Sequence, residues 1–321
     1  MFIKLFVRIL AIFSMIALGA LARKVRTVDA NTTRKMSHII VNFFYPALIF
    51  SALVSNFSLK ELLKNWTLPA GAVMIMWIGY LIGFIFSKLI SFNKEKERHV
   101  FLFLCTINNY SFLPIPIIFM LWGNTGVAKL IFSTLGSEIS VWTIGIFALT
   151  GNKFKRENLR HLLSIPMLAI FAAIFVIIIK HWVVSIDYVI NPNGIFAEIG
   201  NSFMISLDIF GKGTIPLAMF IVGSRMTELT SKHLFIMKQV YLTLLRLIII
   251  PAAAVALLFL LPFENSIRSI LLVVTIMPCA IASVVLSEVY NTDVEFAASS
   301  VLITHLFSLI TIPLWLFLFL K

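Results

Sequence analysis

Charge is scarce in this chain, and negative charge is scarcest: fourteen Asp and Glu stand against twenty-six Lys and Arg in 321 residues. Charged residues make up 12% of the sequence, where soluble domains carry about a quarter, so an ordinary soluble domain is excluded. Cysteine is nearly absent. Cys105 and Cys279 both sit inside apolar runs, which argues against a disulfide framework and casts them as small apolar side chains. No metal-ligand cluster, nucleophile triad or phosphate-cradling glycine loop can be found, so neither an enzyme nor a cofactor is expected.

What fills the space is hydrocarbon. Apolar residues are 60% of the chain and the mean hydropathy is +1.02. They come in runs of roughly twenty, the length a helix needs to cross about 30 Å of bilayer core. Backbone groups in lipid must be paired within their own segment, and the runs are too long for barrel strands, so the expected fold class is all-α and polytopic. The expected spans are 2–21, 36–55, 66–90, 99–122, 126–150, 162–183, 196–224, 235–261, 267–290 and 295–320. Lys4 and Arg8 before Ile9–Ala20 imitate a signal peptide, but a retained first span is expected because the later helices need a topogenic start.

The surplus of Lys and Arg belongs to loops, not to a nucleic-acid surface. Arg23, Lys24, Arg26, Arg34 and Lys35 fill the first connection; Lys88, Lys94, Lys96 and Arg98 fill the third. Lys153, Lys155, Arg156 and Arg160 fill the fifth, and Arg225, Lys232 and Lys238 the seventh. The even connections and both ends are poorer in basic charge. Basic loops stay cytoplasmic, so both termini are expected outside a cell membrane and the fifth connection inside.

Short strings recur across the two halves. Tyr45-Pro46-Ala47-Leu48-Ile49-Phe50 matches Ile215-Pro216-Leu217-Ala218-Met219-Phe220, at an offset of 170 between Pro46 and Pro216. Gly123-Asn124-Thr125-Gly126-Val127 matches Tyr290-Asn291-Thr292-Asp293-Val294, at 167 between Asn124 and Asn291. Five helices used twice, an odd number, place the copies in opposite orientation, the inverted repeat of secondary transporters. The expected organisation is a first repeat at 1–150, a short cytosolic connection at 151–161 and a second repeat at 162–321.

Two spans carry breaks. The fourth contains Thr106-Ile107-Asn108-Asn109-Tyr110-Ser111-Phe112-Leu113-Pro114-Ile115-Pro116, whose two prolines deny partners to the carbonyls of Tyr110 and Phe112. The ninth contains Met277-Pro278-Cys279-Ala280-Ile281-Ala282-Ser283, where Pro278 strips the carbonyl of Val274. Interrupted helices at corresponding positions point to a substrate site, and half-helix N-termini suit an anion. The candidate binding residues are Asn108, Asn109, Ser111, Pro114, Pro116, Met277, Pro278, Cys279 and Ser283.

At these residues the chain resembles the auxin efflux carrier family, which includes plant PIN-type exporters and bacterial malonate-type carriers. The resemblance runs through nearly the whole chain. It is strongest at Asn42–Leu53, Asn109–Gly126, Gly213–Gly223 and Met277–Pro313, with Asn109 and Pro116 on the most typical positions. It implies two inverted five-helix repeats whose fourth and ninth helices unwind where they cross. It further implies a scaffold of helices 1, 2, 6 and 7, a transport unit of helices 3–5 and 8–10, elevator-like motion and organic anions bound near the crossover. Asn108 stands where PIN-type exporters carry the crossover proline, so the break in the fourth span is expected at Pro114. The long cytosolic loop of many plant members is missing.

Ionisable residues within spans are costly and call for a reason. Asp208 and Lys212, four apart, share a helix face and can pair; the alternative role for Lys212 is to attract the anion or to regulate a proton on Asp208. Glu138 and His305 each follow their Asn-Thr (Asn124, Asn291) by fourteen residues, and one or both are candidates for taking up a proton during transport. Arg246 is expected to snorkel or to pair with an acid. The sequence reading is thus a secondary transporter of a small carboxylate anion, with the bilayer and protons as further partners and a homodimer left open. Two alternatives stand beside it: a sodium-coupled carrier of the bile-acid type, and a membrane receptor or scaffold that kept the fold and lost transport.

Overall fold

The computed structural model describes residues 2–92, 94–151, 163–187, 195–227 and 237–320. The basic residues at 153, 155, 156, 160 and 232, and all but the first residue of the 151–161 connection, lie outside this set. Among the described residues the chain is helical, apart from one isolated bridge between two breaks. In chain order the helices are α1 (Phe2–Lys24), α2 (Ala30–Asn56), α3 (Leu59–Lys64), α4 (Thr67–Ser87), α5 (Glu95–Thr106) and α6 (Pro114–Thr150). There follow α7 (Ile165–Asp187), α8 (Ile195–Lys212), α9 (Thr214–Met226), α10 (Met237–Leu260), α11 (Asn265–Thr275), α12 (Ala282–Val289) and α13 (Val294–Phe319).

Local chemistry sets the ends. Asp29 caps α2 by accepting from Thr32 N at 2.6 Å, and Asp293 caps α13 by accepting from Phe296 N at 2.9 Å. Ser58 and Glu61 form a reciprocal capping box at the start of α3. The 37 residues of α6 would stretch about 55 Å as one helix, well beyond the hydrocarbon core. Gly123 resolves this with φ 61° and ψ −154°, a conformation open essentially to glycine alone, and so divides α6 into a short first part and a long second one.

Among the described residues, eight helical stretches are long and apolar enough to cross a membrane, and the protein is a polytopic membrane protein. The expected runs that do not qualify as continuous helices are 99–122 and 267–290, because each is broken. The break in the first differs from the sequence expectation. Helix α5 ends at Thr106, so Asn108 already lies in non-helical chain, and Pro114 is where helix resumes. The physical reason is that proline needs no donor in the first turn of a helix and has φ preset for it, so it begins the second half and does not interrupt the first.

Helix packing falls into two sets. Helix α1 lies along α9, and the second half of α2 packs on α7 and α8. Helix α4 packs on α5 and α6, α11 on α4, α6 and α10, and α13 on α5, α10 and α12. The sets meet where α2 touches α6 and α1 touches α13.

Candidate functional site

The two breaks cross and bond to each other through the main chain. Asn108 and Cys279 form an antiparallel bridge: Asn109 N donates to Pro278 O at 2.8 Å, and Ala280 N donates to Ile107 O at 3.3 Å. Each break thereby supplies partners that the other lost on leaving the helix, as buried backbone must. Val274, whose i+4 residue is Pro278, accepts instead from the Asn108 side-chain amide and from Met277 N.

A cavity of about 270 Å³ opens beside this crossing, on the seam between the two helix sets. Asn108, Asn109, Tyr110, Ser111 and Phe112 of the first break line it, with Ala280, Ile281 and Ala282 of the second. The start of α12 and the approach to α6 therefore form its wall, and both present the positive end of a helix dipole. Tyr45 of α2 and Ala218 and Val222 of α9 also line it, as do Ser37 and Arg225, the latter in the last turn of α9.

Asn109 is oriented by three contacts. Its main chain is held by Pro278, its Oδ1 accepts from Leu113 N at 3.4 Å, and its Nδ2 lies 3.3 Å from His305 Nε2. His305 is fully buried. Its Nδ1 lies 2.8 Å from Val301 O, and a carbonyl only accepts, so the ring proton belongs on Nδ1 and Nε2 accepts from Asn109. Asn108 Oδ1 is buried with no protein partner, an acceptor at the cavity wall. Glu138 reaches the same cavity from α6, accepting from Tyr110 Oη at 2.9 Å and from Trp142 Nε1 at 3.1 Å.

The residues singled out in the sequence divide accordingly. Asn108, Asn109, Ser111 and Glu138 line the cavity. Pro114, Pro116, Met277, Pro278 and Cys279 are buried behind it, and the Ser283 hydroxyl turns back to Ala280 O. Asp208 and Lys212 form the expected ion pair, at 2.5 Å. They border a different cavity of about 250 Å³, with Asn56 and Asn124, elsewhere on the seam. Arg246 neither snorkels nor meets an acid among the described residues: it is fully buried and donates to three main-chain carbonyls. Sequence reasoning passes over Tyr45, Tyr110 and Arg225. Yet Tyr110 stands between two chosen residues, and Tyr45 opens the first of the two matching Pro strings.

Residues 4–316 match the model of a family described as membrane transport proteins. The chain belongs to that family, the auxin efflux carriers. An uncharacterized transporter of Methanocaldococcus jannaschii is 23% identical over 312 residues, covering 96% of each chain. A second, from Methanothermobacter thermautotrophicus, is 20% identical over 309 residues, again 96% of each. The family and these relatives are transporters, not enzymes.

Proposed function

We propose that the protein is a secondary transporter of a small organic anion, most simply a carboxylate, bound at the crossing of its two broken helices. The observation that carries this reading is the cavity lined by the start of α12, the approach to α6 and Asn109. Helix starts and amide donors replace the water that a carboxylate gives up.

In this reading the chain makes ten crossings, the two broken helices each counting once, as two inverted repeats. Positive φ angles at Gly123 and Asn291 (61° and 52°) recur at nearly the repeat offset and support it. Helices α1, α2, α7, α8 and α9 act as scaffold and the remainder as the moving unit. Loop charge then sets both termini outside, so the crossover cavity, lined by Arg225 in the last turn of α9 beside the basic seventh connection, faces the cytoplasm. Sliding of the moving unit along the seam would offer the same site to the other side.

Glu138 is the proton carrier in this scheme. An ionised carboxylate on the cavity wall repels the cargo, so the anion enters best when Glu138 is protonated, and the two travel together. His305 serves a different purpose: it sets the Asn109 amide.

A thermal-shift screen of small mono- and dicarboxylates on purified protein, followed by uptake of any stabilising acid into proteoliposomes, tests the reading. One acid should stabilise the protein and be carried, and Asn109→Ala should abolish both effects. Stabilisation that persists unchanged in Asn109→Ala removes this cavity as the site; saturable binding without flux or counterflow would favour a receptor.

A further inference from the structure

Four helix ends meet at the crossing, and they separate by sign. The start of α12 and the approach to α6 line the cavity, whereas the ends of α5 and α11 meet Arg246. This residue lies in a π-helical turn of α10, Leu245–Ile249, and is fully buried. Its Nη1 donates to Cys105 O at 3.0 Å, its Nη2 to Thr275 O at 3.0 Å and its Nε to Met277 O at 3.2 Å. Cys105 belongs to the last turn of α5, Thr275 ends α11, and Met277 stands in the second break.

Carbonyls exposed at the C-terminal ends of broken helices are the ligands with which transporters hold a coupling sodium ion. Two of that kind and the unwound Met277 carbonyl converge here, and a guanidinium already sits among them. The charge balances as well. Each helix end is equivalent to about −0.5 charge, so two ends supply about one negative charge against the single positive charge of Arg246. This explains how an arginine is buried at membrane depth without a carboxylate beside it among the described residues.

We propose that Arg246 is a resident cation that takes the place of a coupling metal ion at the crossing. Tethered to α10, it holds the ends of α5 and α11 together throughout the cycle. Because it never leaves, it closes this carbonyl cluster to sodium and adds no sodium driving force. The assignment rests on the helix crossing and not on the identity of the cargo, so it stands apart from the anion reading above.

The test therefore uses no cargo. Thermal unfolding of purified protein is compared in choline, sodium and millimolar guanidinium at matched ionic strength, for wild type, Arg246→Ala and Arg246→Lys. Wild type should melt at the same temperature in sodium and in choline. Arg246→Ala should melt lower and recover part of the loss in guanidinium, because a free cation can then occupy the vacated cluster and stabilise the folded state by mass action. Arg246→Lys, whose ammonium keeps the charge but loses the planar fork, should lie between and gain less from guanidinium. A sodium-specific rise in the wild type overturns the proposal, as does an Arg246→Ala protein that gains no more from either added cation than wild type does. If the alanine variant cannot be recovered, Arg246→Gln takes its place: a wild-type melting temperature for that uncharged variant would equally overturn the proposal.

Discussion

The two breaks do the same thing to the backbone and opposite things with side chains. Both leave the helix for a few residues, pair with each other and restart. The first brings Asn108, Asn109, Tyr110, Ser111 and Phe112 to the cavity, with polar groups on all but the last; the second brings Ala280, Ile281 and Ala282, with none. In the inverted-repeat reading proposed above, duplication supplies the matched geometry and the two copies then specialise: one carries the chemistry, the other gives main chain and room. The same divergence separates Glu138, which lines the cavity, from His305, which is sealed behind Asn109.

The largest effect should come from the polar break. Asn109→Ala removes an amide fixed by two partners and should weaken binding of the stabilising acid more than tenfold, about 1.5–3 kcal/mol for a hydrogen bond to a charged group. Ser283→Ala, just past the other break at the start of α12, should change it less than twofold, since that hydroxyl bonds its own chain. Titration calorimetry on both variants checks the contrast, and equal losses would break it.

Next comes pH. With Glu138 on the cavity wall, anion binding should strengthen as pH falls and the carboxylate takes a proton. Glu138→Gln should remove that dependence, because its amide is neutral at every pH. His305→Gln should keep the dependence while lowering affinity through a looser Asn109. Uptake measured against pH in proteoliposomes separates the two, and a flat profile in His305→Gln alone would reverse their roles.

A smaller effect is expected at the paired positive-φ residues. Gly123→Ala forces a side chain onto φ 61° and ψ −154° and should cost about 1–3 kcal/mol of stability. Asn291→Gly should be nearly neutral, because asparagine already tolerates a left-handed φ and glycine does so freely. Melting temperatures of the two variants measure the difference.

The smallest belongs to Lys212→Met. Its ion pair with Asp208 is half exposed, and such a pair contributes about 1 kcal/mol or less. It borders the other cavity, so binding of the acid at the crossing should not change. A loss of binding there would tie the two cavities together.

Much of the fold is legible in the order of residues. Runs of apolar residues locate the helices because a bilayer demands length and hydropathy of each segment separately. Pro278 announces that Val274 needs another partner, since that follows from one missing N–H. The first break falls at Ile107 and not at Pro114, because a proline inside an apolar run reads as an ending when it can equally be a beginning. What satisfies the freed carbonyls is not legible at all. Asn108 lies 166 residues from Val274, and Arg246 lies 141 from Cys105 and 29 from Thr275, and no local rule links such positions.

Lipid acts on each segment one at a time, so hydropathy and proline placement alone were enough to make this a membrane protein of many helices and to mark the two that break. It took the packed fold to settle which side chains face the cavity and which stand behind it, and to bring a buried arginine to the other side of the crossing. Those outcomes depend on where unpaired backbone groups find partners, and in a crossed pair of broken helices the partners come from the far half of the chain.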